Sequence, residues 1–346
     1  MNLTQFDRRQ IFVSLAGIGL GLSGSSAFSQ AATFSGRKVI SSGFGGSTMD
    51  IIQAASFAPF EKATGVASTQ VPMQSAAALA RMKAEAGNPQ LDMYQFSGGQ
   101  EGYAKEQGLS QPLSGVSRLA RIPANLRDPD AHWVSWAVIG EGFLYRKDKI
   151  SNPPKNYKDL LNPKYKGHIA FPAITNGYGV DLLVMLARAF GGGEANIEPG
   201  FDALKKIKGE TIFKAASDLP TLFGQGDIWI VPYDTGNAFK LQQSGLPIEF
   251  ATPDEGSVAV NITACVAKGA KNADVANALI DYMLSPDAQL EVARKMHWAP
   301  SNLDTKLPPE LASAIPAVDK LIQLDRAKIT ALRADWTARW NREIAR

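Results

Sequence analysis

Strand-like and helix-like segments alternate along most of this chain, and this alternation is what most constrains its fold. β-rich segments over 37–42, 66–71 and 92–96 predict three strands, and apolar residues at helical spacing over 49–64 and 75–86 predict two helices between them. A strand–helix–strand rhythm is typical of a mostly parallel sheet with covering helices. The first hundred residues therefore indicate an α/β unit.

The same rhythm returns in the second half of the chain. Strands are predicted at 168–171 and 227–231, and helices at 180–190, 201–208, 236–244, 272–284 and 287–295. A long amphipathic helix is predicted over 315–344, with Trp336 and Trp340 on one side. Since 346 residues suit about two domains, we expect two α/β units.

Two further β-rich segments, at 133–145 and 257–266, are predicted to cross between these units. The chain then leaves the first unit near Ala137, builds the second, and returns near Val258. The predicted first lobe is 32–137 plus 259–300, and the predicted second lobe is 138–258 plus 301–346. We therefore expect an α/β fold with a ligand cleft between two lobes joined by crossing strands.

The first 31 residues have the pattern of an export signal. Arg8 and Arg9 precede an apolar run over 11–22, and a small-x-small cleavage site follows at 29–31. That run of 12 residues is shorter than the roughly 20 that span a bilayer. The paired arginines resemble a twin-arginine signal, although an ordinary secretory signal is also positively charged there. We expect a soluble, exported protein.

Composition excludes several classes of function. With 36 Lys and Arg against 33 Asp and Glu, the chain is too balanced for a nucleic-acid-binding face. The single Cys excludes a disulfide framework, and the three His residues lack metal-binding spacing. No nucleophile–base motif is visible. An exported enzyme on a similar two-lobed frame stays an alternative, with Asp181 and Asp234 as a possible carboxylate pair. We expect no cofactor and no resident metal.

Ligands of open α/β sheets bind beyond the carboxyl ends of the strands, so the loops after the predicted strands carry the candidate site. The first lobe offers an aromatic face and several small polar groups: Phe44, Ser47, Thr48, Ser75, Ser97 and Gly98. Ser47, Thr48 and Ser75 have a second interpretation as N-caps of the helices that follow.

The second lobe adds aromatic and acidic residues, namely Tyr178, Asp181, Tyr233, Asp234 and Glu255. Asp234 is the strongest candidate for binding a cationic group, and its alternative role is a helix cap. The alternative for Asp181 is a carboxylate that only stabilises the first turn of its helix through the helix dipole. The alternative for Glu255 is a residue of the turn in which it lies. Glu141 and Trp136, near the first crossing, are further candidates for the cleft.

Several phrases, in order, resemble the periplasmic solute-binding proteins of ABC importers, in particular the spermidine/putrescine-binding-like group. They are FAPFEKATGV, GEGFLYRKDKI, YKDLLNPKYKGHIAFP, GLPIEFATPDEGSVAVNITACVAKGAKN and ALIDYMLSPDAQLEVARKMHWAPSN, and the resemblance covers about 37–305. It implies a periplasmic-binding-protein fold of the type II kind and a monomer. Such a protein closes on a small molecule and delivers it unchanged to an ABC permease in the inner membrane.

The resemblance also bears on the ligand. The family's second-lobe acidic pair falls on Tyr178 and Asp181, so one acid is replaced, and its crossing-strand Trp and Asp fall on Val260 and Ile262. One arm of a diamine site is therefore missing. This favours a smaller cationic or zwitterionic solute, polyamine-like or amino acid-like. Related ferric-binding proteins use adjacent tyrosines in this region, so iron is an alternative cargo. This chain departs from their pattern, because only Tyr233 stands there.

Overall fold

The structure is a computed structural model that describes residues 34–207 and 210–345. The predicted export signal at 1–31 lies outside these residues. The strands are β1 (Lys38–Gly43), β2 (Ala67–Pro72), β3 (Met93–Ser97), β4 (Ser110–Gln111), β5 (Val134–Arg146), β6 (Ala170–Pro172), β7 (Thr211–Phe213), β8 (Ile230–Asp234), β9 (Ile248–Ala251), β10 (Ser257–Ala267), β11 (Ala299–Pro300) and β12 (Leu321–Ile322).

The helices alternate with these strands. They are α1 (Gly46–Ile52), α2 (Ala58–Thr64), α3 (Ser75–Ala84), α4 (Gln100–Glu106), α5 (Gly177–Ala189), α6 (Glu198–Lys206), α7 (Leu219–Gly224), α8 (Thr235–Gln243), α9 (Ala273–Met283), α10 (Pro286–Met296), α11 (Pro309–Ala312) and α12 (Arg326–Glu343). A π-helical segment over Gln53–Phe57 joins α1 to α2, so the helix predicted over 49–64 is continuous.

Ten strands form one mixed sheet, in which β11, β5, β10, β3, β1 and β2 lie side by side in that order. β1 is parallel to β2 and β3, whereas β10 is antiparallel to β3 and β5. β8 and β9 are also antiparallel to β5. The prediction of a mostly parallel sheet is therefore correct for β1–β3 and wrong for the crossing region, because β5 and β10 run in opposite directions.

β5 and β10 connect the two halves of the molecule. They pair from Val258 opposite Glu141 to Ala264 opposite Val134. The beginning of β5 packs into one hydrophobic core through Val134 and Trp136, and its end packs into another through Phe143. Both strands therefore run between the lobes as predicted, whereas the predicted lobe boundaries stay a prediction.

The strands alternate their side chains between two faces of the sheet, as extended backbone requires. In β3, Met93 belongs to the core on one face of the first lobe, while Tyr94 and Phe96 belong to the core on the other. Cys265 of β10 is fully buried on that second face, which agrees with its expected role as a small core residue. Each lobe is therefore a sheet with packed layers on both sides.

The last long helix begins later than predicted. The segment expected to start it at Ile315 instead contains Pro316 and the short strand β12, which pairs in parallel with Ser257 and Val258. Asp325 then caps α12, its carboxylate accepting from the Lys328 amide at 2.9 Å. Trp336 and Trp340 are buried in the second-lobe core, so they pack the helix as expected.

Among the residues that the structure describes, no helix combines the length and apolar character needed to cross a membrane.

Candidate functional site

Three buried carboxylates gather where β5, β8 and α5 meet. Glu141 of β5 lies directly opposite Asp234 of β8 in the antiparallel ladder, so both side chains project from the same face. Glu141, Asp181 and Asp234 are only 5%, 2% and 2% exposed. Burial, and then the nearby charge of Asp181, raises the pKa of Glu141 well above its ordinary range. Glu141 therefore favours a bound proton unless a further cation lies beside it.

Asp181 already has a cation from this chain. Arg326, the first residue of α12, donates from Nη1 to Oδ1 at 2.5 Å and from Nη2 to Oδ2 at 2.9 Å. Asp181 lies beyond the first turn of α5, so the helix-dipole interpretation of its position is wrong. Its carboxylate forms a bidentate ion pair with Arg326, which was not predicted from the sequence.

Asp234 caps α8, which confirms one of its two predicted roles. Its Oδ1 accepts from the Asn237 amide at 2.8 Å, and its Oδ2 accepts from Asn237 Nδ2 at 2.7 Å. Burial raises the pKa of Asp234, although the hydrogen bonds from Asn237 oppose the shift. A capped carboxylate keeps free lone pairs, so the cap leaves a ligand-binding role open.

An aromatic surface adjoins these acids. The rings of Tyr178 and Tyr233 have centroids 4.1 Å apart, and Asn176 Nδ2 donates to the Tyr233 hydroxyl at 3.3 Å. Burial raises the pKa of Tyr233 to about 12 and that of Tyr178 well above its ordinary value, with the charge of Asp234 adding to both shifts. Both rings are therefore neutral phenols that can cover apolar or cationic parts of a ligand.

The first-lobe loops contribute a second wall. Ser97 donates its amide to Ser75 Oγ at 3.0 Å, and the two hydroxyl oxygens are 3.4 Å apart. Gly98 and Gly99 have φ values of +97° and +99°, a region that favours glycine. A Cβ placed on Gly99 would lie 3.8 Å from Arg326 Cβ, so this loop reaches the arginine that holds Asp181.

The N-cap interpretation is wrong for Ser47, Thr48 and Ser75. Gly45 and Gln74 precede the two helices, and neither helix start has a side-chain cap. Within residues 34–207 and 210–345, the hydroxyls of Ser47 and Thr48 make no hydrogen bond to another residue, and the half-buried Phe44 packs against the first-lobe core. A ligand-binding role for these residues stays a prediction.

Glu255 and Trp136 have local structural roles. The Glu255 carboxylate accepts from the Tyr157 amide at 3.1 Å, at the start of a 3₁₀ turn over Tyr157–Leu161. Trp136 is fully buried, with its ring centroid 6.0 Å from that of Trp298. Trp136 is therefore anchored within the crossing strand β5, and Glu255 just before the crossing strand β10.

Sequence reasoning missed Arg326, because the helix was expected to begin at Ile315. A signal was nevertheless present in the chain. A cation in the first turn of a helix is disfavoured by the helix dipole, so an arginine just after the capping residue Asp325 indicates a carboxylate partner elsewhere. Glu101 of α4 was also missed; it is 6% exposed, and burial raises its pKa while the charge of Arg326 opposes the shift.

Comparisons with known proteins bear on the family and the fold of this chain. A model of a bacterial extracellular solute-binding protein family matches residues 55–317. Iron uptake protein A2 of Synechocystis is 27% identical over 254 residues, covering 67% of this chain and 71% of that protein. The spermidine/putrescine-binding periplasmic protein of Escherichia coli is 25% identical over 163 residues, so the match spans 46% of each protein.

A solved structure from Bordetella parapertussis, described as an extracellular solute-binding protein, has a TM-score of 0.83 at 24% identity. The alignment covers 89% of this chain and 99% of that chain. The predicted two-lobed fold is thereby confirmed. The family consists of solute-binding proteins rather than enzymes, which supports the role of substrate-binding component of an ABC importer. This chain belongs to the family of bacterial extracellular solute-binding proteins.

Proposed function

We propose that this protein captures a small organic solute with an ammonium group, cationic or zwitterionic, for an ABC permease. The observation that carries this proposal is the buried carboxylate of Glu141, whose Oε1 has no hydrogen-bond partner among the described residues. A buried acceptor without a partner is costly, and a charged one more so. An ammonium group placed between Glu141 and Asp234 would satisfy it.

The charge balance of the site supports a cation rather than an anion. Glu141, Asp181 and Asp234 are opposed by one arginine that forms an ion pair with the cluster in the described part of the chain. Hydrogen bonds between ammonium and carboxylate contribute roughly 1.5–3 kcal/mol each. Two or three of them, with ring burial against Tyr178 and Tyr233, reach the roughly 5.5 kcal/mol that shifts a two-state closure from 1:99 to 99:1.

Thermal-shift titration with matched ligands tests this function. We expect butylamine and short amino acids to raise the Tm, and butanol to leave it unchanged, because the alcohol has the same chain without the charge. The substitution Glu141→Gln keeps the shape and removes the charge, so it should reduce the shift. The matched control Glu310→Gln, at an exposed position, should not. Equal shifts for amine and alcohol, or no shift with any amine or amino acid, would contradict the proposal.

Ferric iron is a second candidate, because Tyr178 lies beside Tyr233 and supplies the second phenol that the sequence lacked next to Tyr233. Within residues 34–207 and 210–345, no group of three or more His, Cys, Asp and Glu is placed to hold a metal, so the tyrosines would have to bind it. Their raised pKa values oppose deprotonation. If ferric iron is the cargo, ferric citrate should produce a visible tyrosinate-to-iron absorption band, and Tyr178→Phe and Tyr233→Phe should each remove it.

The proposal includes export to the periplasm through residues 1–31 and capture there as a monomer. Protein recovered from the periplasm should begin at Ala32, as judged by the mass of the intact chain. Replacing Arg8 and Arg9 with lysine should block export through a twin-arginine route and leave general secretion unaffected. Recovery of the full-length chain from the cytoplasm alone would contradict export.

A further inference from the structure

The ion pair between Arg326 and Asp181 affects which ammonium compounds the site can bind, provided that the site binds an ammonium solute as proposed above. Arg326 is one-third exposed (31% of its side chain), whereas Asp181 is almost fully buried (3%). The guanidinium therefore covers the carboxylate, and part of the Arg326 side chain stays accessible to solvent. The pair joins α5 to the start of α12, two elements that are far apart in the chain.

The guanidinium has donors left over. Of its five N–H groups, one at Nη1 and one at Nη2 bind Asp181, and Nη2 also approaches the Ala259 carbonyl oxygen at 3.4 Å. Among the described residues, the Nε–H and the second Nη1–H have no acceptor. These two N–H groups lie on opposite sides of the guanidinium plane's outline, so they do not form the two-donor fork of an arginine. Each of them is suited to bind one oxygen of an anionic ligand group.

The surroundings place Arg326 beside the candidate cleft. Gly99 lies against Arg326, and the same loop carries Ser97, whose hydroxyl faces that of Ser75. On the other side, Glu141 and Asp234 form the acidic part of the site. One end of the site is therefore acidic and the other contains an arginine with unused donors.

We propose that Arg326 selects zwitterions: it occupies the carboxylate that a second ammonium group would need, and it offers an unused N–H group to a ligand carboxylate. A diamine would then lack its second acidic partner and meet a like charge. An ω-amino acid of suitable length would satisfy both ends. Arg326 is in this sense a specificity-determining residue.

Probes that share one carbon chain test the proposal. Binding of 4-aminobutyrate, butylamine and butane-1,4-diamine, and of their three- to six-carbon analogues, is measured by calorimetry. In the wild type, we expect the best amino acid to bind at least tenfold more tightly than the amine of equal length, and the diamine to bind most weakly. Tenfold corresponds to about 1.4 kcal/mol.

Three variants separate the roles of the pair. In Arg326→Gln the order should invert, because Asp181 becomes available to the second ammonium of the diamine. The double variant Arg326→Gln/Asp181→Asn removes both charges of the pair, so neither partner is left as an unpaired buried charge. It therefore tests the proposal even where the single variant fails to fold. It should bind amino acid and amine within threefold of each other. Arg342→Gln removes an equal charge from an exposed position on the same helix and should behave as the wild type.

The outcomes distinguish this inference from the function on which it rests. Amine binding with the same ligand order in the wild type and in both Arg326 variants would overturn the selection by Arg326 and leave the proposed function standing. Failure of every probe to bind the wild type and the variants would overturn both. Inversion of the order in Arg326→Gln, or loss of the preference in the double variant, supports the inference.

Discussion

The phenyl ring of Phe239 on α8 stacks on the imidazole of His297, with ring centroids 3.9 Å apart and the planes 20° from parallel. His297 ends α10 with a φ of +53°, one of two non-glycine residues with positive φ in the described part of the chain. Next to it, a Cβ on Gly236 would lie 3.1 Å from Trp298 Nε1. The start of α8, which carries the Asp234 cap, therefore packs closely on the end of α10 and the residues that follow.

This junction predicts a pH dependence. Burial lowers the pKa of His297 below its ordinary 6.5, so the unfolded chain binds a proton more readily than the folded one. The contribution to stability is therefore fully present above about pH 6.5 and is lost as the pH falls towards the lowered pKa. Thermal unfolding from pH 8 to pH 5 should show this loss.

The control keeps the backbone of this junction. His297→Asn accepts the left-handed conformation and cannot titrate, so the slope of Tm against pH should flatten. An unchanged slope in His297→Asn would assign the pH dependence to other groups.

Asp234 should show separable effects on stability and binding. Asparagine is as good an N-cap as aspartate, but its NH2 group cannot accept from Asn237 Nδ2. Asp234→Asn should therefore lose less stability than Asp234→Ala and bind an ammonium ligand at least tenfold more weakly. Asp234→Ala should lose the same affinity and also about 1 kcal/mol of unfolding free energy, because the Asn237 amide loses its acceptor. Denaturant unfolding and calorimetry measure the two quantities. Wild-type affinity in Asp234→Asn would remove Asp234 from the binding site.

Asp181→Ala should destabilise the protein, which differs from the expectation for a carboxylate that only binds ligand. The substitution leaves the Arg326 guanidinium without its partner, and breaking a buried pair costs about 3–5 kcal/mol. Since Arg326 is 31% exposed, we expect a smaller loss of about 2 kcal/mol. Asp304→Ala, which breaks the exposed pair with Arg121, should change the unfolding free energy little. Equal effects of the two substitutions would show that the Arg326 pair is energetically a surface contact.

Gly179 should be required for the placement of Tyr178. A Cβ at this position would lie 2.3 Å from the Ala173 carbonyl oxygen, so α5 approaches the end of β6 more closely than any other residue allows. Gly179→Ala should cost about 1–3 kcal/mol and separate the Tyr178 and Tyr233 rings, which near-UV circular dichroism detects.

The matched control lies two residues earlier in the same helix. A Cβ on Gly177 meets nothing within 4 Å, so Gly177→Ala should be neutral or stabilise the helix by up to about 1 kcal/mol. A loss of stability as large in Gly177→Ala as in Gly179→Ala would show that the close approach at Gly179 is not the cause of the loss.

The sequence was sufficient to predict most strands and helices, because burial leaves a periodic pattern along each segment. β1 to β3, the crossing strands β5 and β10, and the helices from α5 to α10 that were predicted all lie within a few residues of their expected positions. The cap at Asp234 was also predictable, since it depends on residues three positions apart. The short strands β4, β7, β9, β11 and β12 were missed, because two to four residues carry no usable period.

Only the tertiary structure decided how the acids of the site are used. From the sequence, Asp181 and Asp234 were both candidates for binding a cation, with Asp234 the stronger one. In the fold, Asp234 caps a helix and faces Glu141, whereas Asp181 is held by Arg326 from the far end of the chain. The local pattern of apolar and polar residues predicts which residues are buried. It does not report which buried charges meet, because an ion pair between distant segments depends on how the packed layers bring them together.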